Sequence, residues 1–184
     1  CGRIGMPMNL AIRPAQLDDV PRLTEIYNHY VANTTVTFHI TPFAVAERRE
    51  WFDLHSPTGP HRLLVGVVDG TVVGYASSSR FRAMPAYDTT VETSIYLAPE
   101  STGHGFGALL YQELFAVLAE EDVRLLVAGI TVPNPASVKL HERLGFRHVG
   151  CFHSVGRKAG RFLDVDWYER PLSSVPCISV RNCQ

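Results

Sequence analysis

Apolar positions along the chain change period from segment to segment, and each period predicts an element. Leu10-Ala11-Ile12-Arg13 predicts a short opening strand. Leu17, Val20, Leu23, Ile26, Tyr27, Tyr30 and Val31 recur at helical spacing, with Asp18 and Asp19 in the first turn, where negative charge suits the helix dipole. Thr41-Pro42 reads as a second helix start, with Phe43, Trp51, Phe52 and Leu54 as apolar marks. Asp69-Gly70 is the dipeptide of a type I′ turn, so residues 62–68 and 71–79 should form a hairpin. Residues 90–97 alternate, with Val91, Thr93, Ile95 and Leu97 on one face and Glu92, Ser94 and Tyr96 on the other. A helix over 105–121 carries Leu109, Leu110, Leu114 and Leu118. A strand (124–130), a helix from Pro135 to Leu144 stopped by Gly145, and strands over 148–155 and 162–169 follow. The order β-α-α-β-β-β-α-β-α-β-β predicts an α+β fold with mixed connections, a central and mostly antiparallel sheet flanked by helices. Periodicity spans 8–172, which is expected to be one domain; 1–7 and 173–184 read as tails.

Composition narrows the classes. Charged residues are 19% of the chain and apolar residues 46%, which supports a buried core rather than a disordered chain. The net charge of -1 argues against nucleic acid as a partner. No apolar run approaches the roughly 20 residues of a membrane span, and no signal-peptide core is visible. Cys1, Cys151, Cys177 and Cys183 show neither metal-ligand spacing nor a disulfide framework. A cytoplasmic protein without a metal cofactor is expected.

Two segments carry the chemistry. In the first, a strand ending at Tyr96-Leu97 is followed by Thr102-Gly103-His104-Gly105-Phe106-Gly107 and then an apolar helix. Glycine lets a backbone approach a ligand, and the free N–H groups of a helix start favour an anion such as pyrophosphate. The same glycines also suit a turn with no ligand. The run is not a Walker loop, since no Lys-Ser/Thr pair follows, and it sits too late in the chain for a dinucleotide fold. In the second, Pro133-Asn134-Pro135-Ala136-Ser137 places Asn134 as an N-cap and Pro135 in the first turn, before Leu144-Gly145-Phe146.

Taken together and in this order, the two motifs resemble the GNAT superfamily of N-acetyltransferases. The resemblance implies the GNAT fold and acetyl-CoA as cosubstrate. Its pyrophosphate would lie on Thr102, Gly103, His104, Gly105, Phe106 and Gly107, and its pantetheine arm along Tyr96, Leu97, Asn134 and Ser137. Thr102 departs from the Arg or Gln usual at that place. Amide formation requires loss of a proton from the ammonium, stabilisation of the thioester oxygen and a proton for the leaving thiolate. Glu92 is the candidate base. A main-chain N–H near Leu97 is the implied oxyanion donor. His141 stands where many members have the tyrosine that protonates the thiolate, and its other reading is a helix-surface histidine.

Over residues 12–172 the chain is further similar to the phosphinothricin N-acetyltransferase group, whose bacterial relatives act on methionine sulfoximine and methionine sulfone. Tyr27-Asn28-His29-Tyr30, Thr35-Val36-Thr37-Phe38, Ala86-Tyr87-Asp88, His141-Glu142 and Gly156-Arg157-Lys158-Ala159-Gly160 carry that similarity. It implies a small amine substrate, and a homodimer with residues 157–164 near the pocket. Arg80 and Arg82, on one face if the strand continues, offer guanidiniums to a carboxylate or phosphinate, and Phe38 and Tyr87 an apolar wall. The competing readings are acetyl transfer to another amine (a polyamine, an aminoglycoside or a protein N-terminus) and a non-catalytic acyl-CoA sensor.

Overall fold

The period-two segments pair edge to edge and the period-3.6 segments cover both faces of the resulting sheet. The computed structural model describes residues 9–172, so Met8 and both tails lie outside the described residues. The elements are β1 (Ala11–Pro14), α1 (Val20–Asn33), α2 (Val45–Phe52), β2 (Leu63–Val68), β3 (Thr71–Arg80), β4 (Thr90–Leu97), α3 (Phe106–Ala119), β5 (Leu125–Val132), α4 (Pro135–Arg143), β6 (Arg147–Lys158) and β7 (Arg161–Pro171). The seven strands form one sheet in the order β1-β2-β3-β4-β5-β7-β6. Every pairing is antiparallel except β4 with β5. The expected mixed fold is observed. Asp69 (φ 48°) and Gly70 (φ 77°) take the left-handed conformations that a type I′ turn demands at both central positions.

One helix start differs from expectation. Thr41-Pro42 does not open α2, which begins at Val45. The Asn28 side chain on α1 accepts the N–H of Phe43 (2.9 Å) and donates to its C=O (2.8 Å). Both main-chain groups of Phe43 are thereby taken from a helical ladder, and the helix starts only beyond it. The Ala44 N–H then donates to the Glu47 carboxylate at 2.7 Å, the acidic half of a capping box.

The core lies on both faces of the sheet. Leu110, Leu114 and Leu118 on α3 are fully buried with Val91, Leu126 and Ala76. Leu109, expected in that stripe, is 46% exposed; Tyr111 and Phe115 complete it instead. The other core joins Leu23 and Ile26 of α1 to Val65, Val72 and Tyr75. Truncating a fully buried leucine such as Leu114 to alanine costs about 2–5 kcal/mol.

Candidate active site

The site begins where the parallel pairing stops. β4 and β5 are bonded only over Thr90–Glu92 and 125–127. Beyond that point they separate, and 93–97 and 128–131 line a cleft of about 540 Å³. At the fork the Thr93 hydroxyl donates to the Val127 carbonyl (3.3 Å), a side chain standing where the ladder ends. The Ala98 N–H donates to Val73 on β3 at 2.9 Å. Strand alternation then turns the N–H groups of Ile95 and Leu97 away from β3, towards the gap. Because the gap runs through the sheet, both helical layers reach it: Tyr30 from α1, Tyr111 from α3, His141 from α4.

At the outer end the wall is backbone. Gly103 (φ 81°) and Gly105 (φ 82°) hold left-handed conformations, and a Cβ on either would meet nothing within 4 Å. Glycine is required there by the chain path, and the space beside it is open. No side chain caps α3, so the donors of its first turn remain for a ligand. Thr102, Gly103, Gly105 and Gly107 line the cleft as expected, but the Thr102 hydroxyl is spent on the Pro99 carbonyl (2.9 Å). His104 and Phe106 are not among the residues that line the cleft. The exposed imidazole stacks on Phe106 with ring centres 5.6 Å apart, and the Phe106 ring is buried with Val68 and Val73. With its ring in the core, Phe106 has its first-turn amide left for a ligand.

At the inner end the wall is side chains. Asn134 Oδ1 accepts the Ser137 N–H at 3.2 Å, the N-cap expected for α4. His141 is not a surface residue: it is 3% exposed and packs against Tyr111 and Phe146. Its Nδ1 lies 2.8 Å from the Ser137 carbonyl, which assigns the proton to Nδ1 and makes Nε2 the acceptor for the Tyr111 hydroxyl at 3.2 Å. Burial, opposed by the Ser137 carbonyl, lowers the His141 pKa and so favours the neutral ring. Burial raises the Tyr111 pKa, the Thr93 side chain opposes that, and the Glu92 charge adds to it. Thr93, Tyr111, His141 and Ser137 thus form one run of polar groups along the cleft. Sequence reading missed Tyr111; the available signal was a tyrosine on an otherwise leucine face, which needs a polar partner when buried.

Glu92 is the last residue of β4 that pairs with β5, at the head of the fork. Its carboxylate makes no side-chain hydrogen bond among the described residues. Burial raises its pKa and the Arg82 charge pulls it back. The two arginines do not share a strand face. β3 ends at Arg80, whose guanidinium turns to Asp88 (3.4 Å). The chain bends at Phe81, and Arg82 lies over the Phe81 ring at 4.5 Å, within reach of the Glu92 field. Tyr87 packs on Phe81, which packs on Trp167. Phe38 sits against the backbone of Gly156, where any Cβ would overlap its ring. Lys158 donates to the neighbouring Thr37 carbonyl at 2.9 Å, so residues 37–38 are strapped to β6.

A sheet split beside an uncapped, glycine-led helix defines a coenzyme A-type cleft, and comparison with known proteins agrees. The pattern of the acetyltransferase (GNAT) family matches residues 23–146, and the chain belongs to that family. It is 52% identical over 163 residues to a phosphinothricin N-acetyltransferase of Streptomyces coelicolor, covering 88% of this chain and 95% of that one. It is 37% identical over 165 residues to the L-methionine sulfoximine/L-methionine sulfone acetyltransferase of Pseudomonas paraeruginosa, covering 90% and 96%. The crystal structure of a phosphinothricin acetyltransferase from Sinorhizobium meliloti in complex with acetyl-CoA superposes with a TM-score of 0.85 at 36% identity, covering 90% of each chain. An acetyltransferase from Salmonella typhimurium, solved with acetyl-CoA, gives 0.86 at 34% identity, covering 91% and 96%.

Proposed function

We propose that this protein transfers the acetyl group of acetyl-CoA to the amino group of a small amino-acid-like substrate, such as phosphinothricin, methionine sulfoximine or methionine sulfone. The observation that carries the reading is the fork: β4 and β5 part beside an α3 start that no side chain caps, and the same cleft ends at the buried Tyr111–His141 pair.

The first-turn amides of α3 and the open backbone at Gly103 and Gly105 hold the pyrophosphate, while Asn134 and Ser137 flank the pantetheine arm. Leu97 offers its gap-facing N–H to the thioester oxygen as charge develops there. Glu92 takes the amine proton, directly or through water; its raised pKa brings it closer to a working pH near neutral. Tyr111 and His141 line the cleft from α3 and α4, and the leaving thiolate is protonated from that pair. Arg82 holds the substrate's acidic group against the wall of Phe38, Phe81 and Tyr87. Arg80, already paired with Asp88, has the smaller part.

Residues 8–172 act as one domain in this reading. A homodimer is supported by the exposed Phe152 (53%), Val155 (51%) and Phe162 (66%) along the outer edge of the sheet. A cytoplasmic location is supported by Cys151 having no disulfide partner among the described residues. The deciding measurement is thiol release from acetyl-CoA with a panel of amines: phosphinothricin, methionine sulfoximine, methionine sulfone, common amino acids, spermidine and an N-terminal peptide. Turnover is expected with the first three. Turnover with spermidine or the peptide alone would overturn the substrate class, and tight acetyl-CoA binding without any turnover would overturn catalysis.

A further inference from the structure

β6 and β7 form the outer edge of the sheet, and a register shift between Phe152 and Gly156 interrupts their ladder. Ser154, inside the irregularity, has φ 53°. Cys151 and His153, two apart on β6, bring their donors together at 3.7 Å between Sγ and Nδ1. From β7, Asp164 Oδ2 lies 3.2 Å from the same Nδ1. The three donor atoms all lie within 4.8 Å of one another. None of the three residues lines the acetyl-transfer cleft.

We propose that Cys151, His153 and Asp164 form a binding site for a thiophilic divalent cation of the zinc class, separate from acetyl transfer. The donor set is one thiolate, one imidazole and one carboxylate, a combination suited to zinc. Tetrahedral zinc with bonds of about 2.0–2.3 Å sets neighbouring donors about 3.3–3.6 Å apart. The separations of 3.7 and 3.2 Å lie close to that spacing before any adjustment. The carboxylate is already oriented: Asp164 Oδ1 accepts the Ser154 N–H at 2.7 Å, which leaves Oδ2 facing the other two donors. Such outer bonds are how metal ligands are held in place. A His–Asp ion pair would explain two of these positions but not the thiol beside the same nitrogen. Asp166 stands directly across the ladder from Cys151 and adds negative charge on that face, although its own carboxylate also faces His148 at 3.3 Å. The fourth position is left to a water or a further donor, and a bound cation would clip the irregular stretch of the edge hairpin and stabilise the fold by linkage.

The test uses the full chain with Cys1, Cys177 and Cys183 replaced by serine, so that Cys151 is the one thiol. The metal-free protein is titrated with Co²⁺, then with Zn²⁺ as competitor, and melted with and without Zn²⁺. A saturable, one-equivalent thiolate-to-cobalt charge-transfer band with tetrahedral d–d bands is expected, together with a Tm raised by Zn²⁺. Cys151→Ser should abolish the band while leaving the acetyl-transfer rate of the metal-free protein unchanged. His153→Ala and Asp164→Asn should each weaken Co²⁺ binding at least about ten-fold, the lower end of what losing even an outer partner of a metal ligand costs. No charge-transfer band, or a band equally strong in His153→Ala and Asp164→Asn, would overturn the site.

Discussion

At the α3 end of the cleft the polar groups are main-chain amides, held by two left-handed glycines with no side chain in the way. At the fork they are side chains (Glu92, Tyr111 and His141), each buried enough that its pKa is displaced. Amides do not titrate and cannot swing away, so they suit a ligand that must be gripped in the same way at every pH. Buried side chains can exchange protons, at the cost of desolvation. The molecule therefore separates holding from chemistry along a single gap, and that separation can be attacked from both ends.

The largest effect is expected at the fork. Glu92→Gln should lower kcat by about 10²–10⁴ while acetyl-CoA affinity, read by calorimetry, stays as it was. Because the Glu92 pKa is raised, the acidic limb of the rate profile should lie above the pH at which an exposed glutamate titrates, and this variant should lose that limb. The base role fails if the rate is unchanged.

Tyr111→Phe comes next. It leaves His141 Nε2 buried without its partner, at about 1–3 kcal/mol of stability by chemical denaturation. The pH dependence of stability has a definite sign here. His141 has a folded pKa below its ordinary 6.5, so stability from the neutral ring is present above that value. As pH falls through 6.5 the unfolded chain takes up a proton first and stability declines. His141→Gln should flatten that decline below pH 6.5, as measured by the denaturation midpoint; an unchanged slope would assign it to other groups.

Gly105→Ala tests the other end. A left-handed alanine costs roughly 1–2 kcal/mol, and relief of that strain moves the amides. The KM for acetyl-CoA should rise about ten-fold with the pH profile in place. A displaced profile would mean that the two ends are not separate. Asn134→Ala is expected to be the smallest change, about 1 kcal/mol of stability from the lost cap and little in kcat.

Much of this was legible beforehand because the signals were local. Asp69-Gly70 could only be a tight turn between two apolar runs, Asn134-Pro135 a helix start, and Gly103 and Gly105 backbone positions that no other residue fills comfortably. Each acts within a few residues of itself, so a linear reading suffices. The same reading went wrong where a distant partner intervened. Asn28 delayed α2 by occupying Phe43, and the bend at Phe81 sent Arg80 to Asp88 and Arg82 towards Glu92.

Sequence alone thus determined the order of elements, the glycine-led start of α3, the cap of α4 and Glu92 on the strand before them. All follow from backbone preferences and apolar period. Tertiary structure decided that β4 and β5 part after three paired residues, that Tyr111 meets His141 across thirty positions, and that Asp164 closes on Cys151 and His153. These depend on how far strands separate and which side chains face each other across the chain, and no local preference encodes such distances.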